Sequence, residues 1–274
     1  MTGDARRWAW ADIDLDAIRH NVEHLRAAVA PSGLWAVVKA NGYGHGAADV
    51  ARAALAGGAD GLCVALVQEG LDLRERGIAA PILLLSEQPL AAASDIVRHD
   101  LTATVYTAEY VDALAAAARD AGRVAVAVHV KVDTGMQRVG VDAAGTAALV
   151  GHVAARGPTL RLEGVFTHLA VADDPADPFT TTQLERFDSV LEELGDAAPP
   201  IVHAANSAAA LTSTAARRSF VRAGIAVYGI SPGERVDHLC TALRPAMSLR
   251  ARVSFVKTVR AGSRISYGLR HTFD

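Results

Sequence analysis

The chain has few cysteines, little net charge and no long apolar run. Among its 274 residues only Cys63 and Cys240 are cysteine, and the formal net charge is −3. Two thiols cannot build a disulfide framework, and Cys63 lies in an apolar run, so a reducing, cytoplasmic setting is expected. A near-balanced charge without basic blocks or aromatic–basic interleaving leaves no electrostatic footprint for nucleic acid. No apolar run approaches the roughly 20 residues that a bilayer span needs. The start, "MTGDARRWAWADIDL", lacks the continuous apolar core of a secretory signal. Neither a nucleic acid nor a membrane is therefore expected as a partner. No G-x-G-x-x-G turn follows the first strand, and "GYGHG" precedes no Lys-Ser/Thr, which argues against a dinucleotide fold and excludes a P-loop.

The remainder is an ordinary globular composition, 51% hydrophobic and 21% charged. Between about residues 33 and 229, short apolar, β-branched runs alternate with alanine-rich amphipathic stretches. The strand candidates are "LWAVVK" (34–39), "LCVAL" (62–66), "ILLL" (82–85), "TATVY" (102–106), "VAVHVKV" (126–132), "LEGVFTH" (162–168), "IVHA" (201–204) and "SFVRA" (219–223). Continuous apolar strands separated by helices imply a parallel sheet covered on its outer face. Eight such units in succession predict an α/β fold of the (β/α)8 TIM barrel type, with an open doubly wound sheet as the structural alternative.

The tail reads differently. "RPAMSLRARVSFVKTVRAGSRISYG" alternates polar and apolar residues around a turn at Ala261-Gly262-Ser263, the pattern of antiparallel sheet. Two domains are expected: residues 1–234 as the barrel, with an N-terminal strand able to join the second domain, and residues 235–274 as the start of a mostly β domain. With too few strands to close a core, that domain reads as incomplete.

In such barrels chemistry gathers at the carboxyl ends of the strands, with a phosphate commonly beside strands seven and eight. The polar residues at those ends are Lys39, Arg138, His168, Asn206-Ser207 and Arg222-Ala223-Gly224. Each has a bland reading by itself. Lys39 could snorkel from a strand end, His168 could be a satisfied rim histidine, and Arg138 could pair with Asp133. Together they suggest more. A desolvated lysine can lose its proton and attack a carbonyl to form an imine. Asn206, Ser207, Gly224 and Ile225 offer a hydroxyl and backbone N–H groups for a phosphate. An imine-forming lysine beside a phosphate cradle points to pyridoxal phosphate. His168 could then lie on the cofactor ring, Arg222 face its nitrogen, and Arg138 grip a substrate carboxylate.

The motifs "AVVKANGYGHG" (36–46), "VKVDTGMQRVG" (130–140), "FTHLAVAD" (166–173), "HAANSAA" (203–209), "VRAGIAVYG" (221–229) and "ISYG" (265–268) occur in this order. By them the chain resembles the fold-type III pyridoxal-phosphate enzymes, and within them the alanine racemase family. The resemblance implies that Lys39 carries the cofactor as an imine and is one of two catalytic bases, with Tyr267 as the other, acting in the partner active site of a homodimer. It implies that Tyr43, Ser207, Gly224 and Ile225 hold the phosphate, that His168 packs on the ring, and that Arg222 bonds its nitrogen. Arg138 would orient the substrate carboxylate, and Lys131 matches a position carbamylated in some members. The implied reaction is the interconversion of L- and D-alanine, supplying D-alanine for peptidoglycan. The family's C-terminal domain continues well beyond position 274, so a truncated chain is expected.

Other readings remain open at this stage. The enzyme could racemise another small amino acid such as serine, or be a decarboxylase of the same fold type, although Tyr267 supplies the opposed base that racemisation wants. It could also be a non-catalytic pyridoxal-phosphate homeostasis protein, which the tail after 235 argues against. "HNVEH" (20–24) fits an inverted zinc-protease pattern, yet on a helix Leu15, Ile18, Val22, Leu25 and Val29 form the buried stripe and the two histidines face away. "DDPADP" (173–178) reads as a turn-rich loop. No metal site is expected.

Overall fold

The computed structural model of the protein describes residues 8–274, so residues 1–7 of the stretch read for a signal lie outside it. The chain divides into two compact units, one formed by residues up to Ile13 with Met247–Asp274, the other by Asp14–Ala246.

The larger unit is a closed parallel barrel. Its strands, in chain order, are Gly33–Val37, Gly61–Val64, Ile82–Leu84, Ala103–Val105, Val126–Asp133, Leu160–Phe166, Ile201–His203 and Phe220–Ala223. The first three pair in sequence and the eighth pairs with the first. The fourth to seventh pair likewise. A parallel bridge between Leu83 and Thr102 joins strands three and four. Bonds from Ser219 N–H to Val202 O and Arg222 N–H to Ala205 O, each 2.9 Å, join strands seven and eight and close the circle.

Two apolar layers follow from the strand pattern. Inside the barrel Trp35 and Phe220 stack with centroids 4.7 Å apart, packed with Val37, Cys63 and Leu83. Outside, side chains such as Leu34, Ala36 and Leu62 meet the helices. The helix Leu15–Val29 is representative. Asp14 caps it by accepting from the Ala17 N–H at 2.9 Å, and Ile18, Val22, Leu25 and Val29 are buried. Leu15, expected in the same stripe, is exposed because it stands in the first turn, ahead of the packed face. His20 Nε2 lies 3.0 Å from the Ala242 carbonyl.

The division after Ala246 lies beyond the expected one at 234 for a specific reason. Asn21, buried in that helix, donates to Val227 O and Arg244 O and accepts from the Arg244 N–H. Leu243 and Ala246 enter the barrel's apolar layer. Residues 235–246 are thereby tied to the barrel.

In the smaller unit Ala9–Ile13 pairs antiparallel with Met247–Ala251, and Arg264–Ile265 with His271–Thr272. Leu249, in the ribbon Met247–Ala251, and Val253, Phe255 and Val256, in the irregular segment after it, are each three-quarters or more exposed. Among the described residues no helix is long and apolar enough to cross a membrane.

Candidate functional site

The first strand stops at Val37, two residues before Lys39, where a continuous run to 39 was expected. Lys39–Tyr43 then forms a left-handed turn. Ala40, Asn41 and Gly42 have φ of 52°, 52° and 62° with ψ near 47°, and Tyr43 follows at φ 51°. For residues with a Cβ this handedness costs roughly 1–2 kcal/mol each, so other contacts must hold it. Glu69 supplies them: Oε1 accepts from the Ala40 N–H at 2.5 Å, while Oε2 accepts from the Ala65 and Leu66 N–H groups. Asn41 Oδ1 accepts from the Ala47 N–H at 3.0 Å, and the His45 ring packs on Tyr228 at 4.6 Å.

The turn sends the chain back on itself and brings Tyr43 beside the lysine. Lys39 Nζ lies 5.9 Å from the centre of the Tyr43 ring. The ring leans on Tyr228 at 5.0 Å, and its hydroxyl reaches the backbone of Gly224, where a Cβ would stand 3.0 Å from it. Burial and the neighbouring Cys63 raise the Tyr43 pKa, so its phenol keeps its proton as a hydrogen-bond donor.

Beyond strands seven and eight the donors are arranged differently from the expectation. Asn206 caps the helix Ser207–Thr212, its Oδ1 accepting from the Ala209 N–H. The Gly224 N–H, expected to face a phosphate, donates to Ser207 Oγ at 2.8 Å. That leaves the Ser207 O–H to donate outward. It also leaves the Ile225 N–H, which opens the single turn Ile225–Tyr228 where a first N–H has no acceptor within the turn.

Arg222 lies deeper, 3% exposed. Its Nη2 donates to Thr167 O and Ala204 O and reaches His168 Nδ1 at 3.2 Å, while its Nη1 is 2.6 Å from His203 Nδ1. Burial lowers its pKa only to about 10, so it stays cationic. Burial, then the charge of Arg222, pushes His168 well below the usual histidine value and keeps the ring neutral. Lys131, 5% exposed, donates to Leu85 O at 3.1 Å. Burial first, and then Arg222 and Arg138, bring its amine down to about 7. A desolvated amine thus stands at Lys131, on the fifth strand.

All these groups line one cavity of about 540 Å³. Lys39, Tyr43, Lys131, Arg138, His168, Asn206, Ser207, Arg222, Gly224 and Ile225 are brought together there. Asp173 is the one carboxylate among its lining residues, against four basic side chains. A cavity so charged suits a ligand with a phosphate and a carboxylate. Arg138 forms no ion pair with Asp133, whose carboxylate accepts from the Gly135 and Gln137 N–H groups instead. Phe166, in the cavity floor beneath Arg222, and His203 were not singled out from the sequence; a histidine at the end of an apolar strand was the available signal. Tyr267 belongs to the smaller unit and is fully exposed.

The family described as "Alanine racemase, N-terminal domain" matches residues 13–232. The alanine racemase of Symbiobacterium thermophilum is 45% identical over 99% of this chain and 72% of its own length. That of Thermobifida fusca is 43% identical over 97% of this chain and 72% of its own length. The crystal structure of alanine racemase from D-cycloserine-producing Streptomyces lavendulae superposes with a TM-score of 0.92 at 40% identity, covering 98% of this chain and 72% of that one.

The chain belongs to the alanine racemase family. Its barrel is the family fold, and alanine racemases are pyridoxal-phosphate-dependent isomerases. The residues present fit that cofactor. Gly224 leaves open the space that a Cβ would take from the Tyr43 hydroxyl, and the donors of Ser207 and Ile225 line the same cavity as the Lys39 amine. An arginine rather than a carboxylate waits in the floor.

Proposed function

We propose that this cavity interconverts L- and D-alanine with pyridoxal phosphate bound at Lys39. The observation that carries the reading is the grouping of Lys39, the Ser207–Gly224–Ile225–Tyr43 corner and Arg222 around one cavity. When bound, the cofactor draws off the electron pair left at the substrate Cα after proton removal. The Ser207 hydroxyl, the Ile225 N–H and the Tyr43 phenol would hold its phosphate, and His168 would pack on its ring. Arg222, already cationic, would offer hydrogen bonds to the ring nitrogen without giving up a proton, which would limit how strongly the ring pulls electrons and so restrain transamination. Arg138 grips the substrate carboxylate in two-pronged fashion.

Racemisation needs a proton taken from one face of Cα and returned to the other. Lys39 Nζ serves one face and the phenol of Tyr267 the other. Tyr267 acts in the partner active site of a homodimer. Carbon dioxide adds to the neutral Lys131 amine with loss of a proton, and the resulting carbamate anion pairs with Arg138. A pKa of about 7 supports this, since a large share of the amine is then free at neutral pH. We place the enzyme in the cytoplasm, supplying D-alanine for peptidoglycan; its two free thiols, Cys63 and Cys240, suit a reducing compartment.

The test pairs the visible absorption of the purified protein with an L- to D-alanine assay. The wild type is expected to show the band of a lysine-bound cofactor, and Lys39→Ala to lose both band and turnover. A band that survives in Lys39→Ala, or turnover of serine in preference to alanine, defeats the reading.

A further inference from the structure

A chain of side chains crosses the barrel from one mouth to the other. Glu163 and Arg161 line a cavity of about 220 Å³ among the strand starts Pro81, Thr102 and Val126, at the mouth opposite the candidate site. Glu163 Oε1 pairs with Arg161 Nη2 at 2.8 Å, and Glu163 Oε2 lies 3.2 Å from His129 Nε2. His129 Nδ1 is 2.9 Å from His203 Nε2, and His203 Nδ1 is 2.6 Å from Arg222 Nη1. Both histidines are fully buried.

Only one arrangement of protons satisfies every link. Arg222 can only donate, so His203 Nδ1 must be bare and its hydrogen must sit on Nε2. His129 Nδ1 must then accept, which places its hydrogen on Nε2, directed at the Glu163 carboxylate. In the reversed arrangement an imidazole N–H would face a guanidinium N–H at one end. At the other end a bare nitrogen would face a carboxylate. The charges agree. Glu163 is held at about 2 by its hydrogen bond to His129 and by Arg161, so it is ionised, while burial keeps both imidazoles neutral.

The fold has built room for this chain. His203 is clamped between Phe166 at 4.5 Å and Phe220 at 4.3 Å, with interplanar angles of 9° and 24°, so its ring cannot turn to present another edge. The pairing of strands five and six slips at Val128/His129, so that Val128 faces Leu162 but His129 faces Gly164 and Glu163 is the extra residue. Such bulges re-aim side chains. Here the slip turns both Glu163 and Gly164 toward the barrel axis. A Cβ on Gly164 would lie 2.6 Å from the His129 ring, so glycine there makes the space that His129 occupies.

We infer that Glu163 is a positioning residue for Arg222. Acting through His129 and His203, it accepts the last hydrogen of the row that Arg222 orders, and so helps hold in place the group that meets the cofactor ring. The inference rests on the reading of Arg222 as the partner of the ring nitrogen.

The test reads tautomers by nitrogen NMR of the cofactor-free protein with isotope-labelled histidine. In the wild type both His129 and His203 are expected to carry hydrogen on Nε2 with a bare Nδ1. Glu163→Leu removes the acceptor of the His129 Nε2 hydrogen and should shift the nitrogen signals of both rings without changing the tautomer that Arg222 dictates, whereas Glu163→Gln, whose amide oxygen can still accept from His129, should keep the wild-type signals. In the loaded enzyme Glu163→Leu should lower kcat about tenfold with KM held within about threefold, and Glu163→Gln should recover most of that loss. A wild-type His203 with hydrogen on Nδ1 overturns the inference, and this arm needs no variant to fold. Unchanged nitrogen signals in Glu163→Leu overturn it too, as do changed signals with unchanged kcat. Failure of the underlying reading looks different: the tautomers behave as expected, but Arg222→Lys leaves the cofactor spectrum and kcat untouched.

Discussion

The Tyr43 hydroxyl stands 3.0 Å from the point where a side chain on Gly224 would begin. Two segments nearly two hundred residues apart in sequence thus meet across the bare Cα of a glycine. Gly224→Ala should push the phenol aside by a few tenths of an ångström and weaken cofactor binding about tenfold, while changing stability by no more than about 1 kcal/mol. On a Tyr43→Phe background the same substitution should cost little further, because the atom it displaces is gone. Equal losses in both backgrounds, measured by cofactor titration, would show that the contact is irrelevant.

Lys131 makes stability depend on pH in a definite direction. Its folded pKa is about 7, against an ordinary lysine near ~10.4. Between those values the unfolded chain holds a proton that the folded chain does not. Stability therefore rises with pH across that window, and the cost of burying the amine is complete below it. Lys131→Met should stabilise the cofactor-free protein by about 2 kcal/mol near pH ~6, with the gain fading towards pH ~10. Urea unfolding at the two pH values checks this; a gain of equal size at both would be incompatible with the amine's burial as its source.

The left-handed turn predicts an unusual response to glycine. Glycine normally costs roughly 0.5–1 kcal/mol within regular structure relative to alanine. At position 40, with φ of 52°, it should instead stabilise by about 1 kcal/mol, because it removes the Cβ that resists this handedness. Thermal or denaturant midpoints of Ala40→Gly decide the matter, and a lowered midpoint would mean that the turn is not held as described.

Much of this was legible beforehand, and the reasons are local. Each barrel strand announced itself as an apolar, β-branched run, because a strand covered on both faces has no polar side. Gly42, Gly44 and Gly46 tolerate positive φ without steric cost, and all three adopt it. The motif residues around Lys39, Arg138, His168, Ser207 and Arg222 do share one cavity. Three non-glycine residues in the same left-handed turn, Ala40, Asn41 and Tyr43, gave no such signal. Their conformation is held by contacts made elsewhere: Glu69, on a different helix, accepts from the Ala40 N–H, Asn41 bonds the Ala47 N–H, and Tyr43 leans on Tyr228. The Gly224 N–H was assigned to a phosphate from the sequence, yet the fold gives it to Ser207, since a hydroxyl that caps one loop can only be located once both loops are placed.

The amino-acid order by itself determined what is periodic or local: the alternation that makes a barrel, the glycines that permit tight turns, and the residue types able to bind a phosphate, a carboxylate and an imine-forming aldehyde. Tertiary structure alone decided what depends on distance between remote segments. It brought Arg222 close enough to Lys131 to help drive the amine to about 7. It slipped two strands by one residue so that Glu163, His129, His203 and Arg222 fall in line. Desolvation and hydrogen bonding act over a few ångströms, and only closure of the barrel makes those ångströms short.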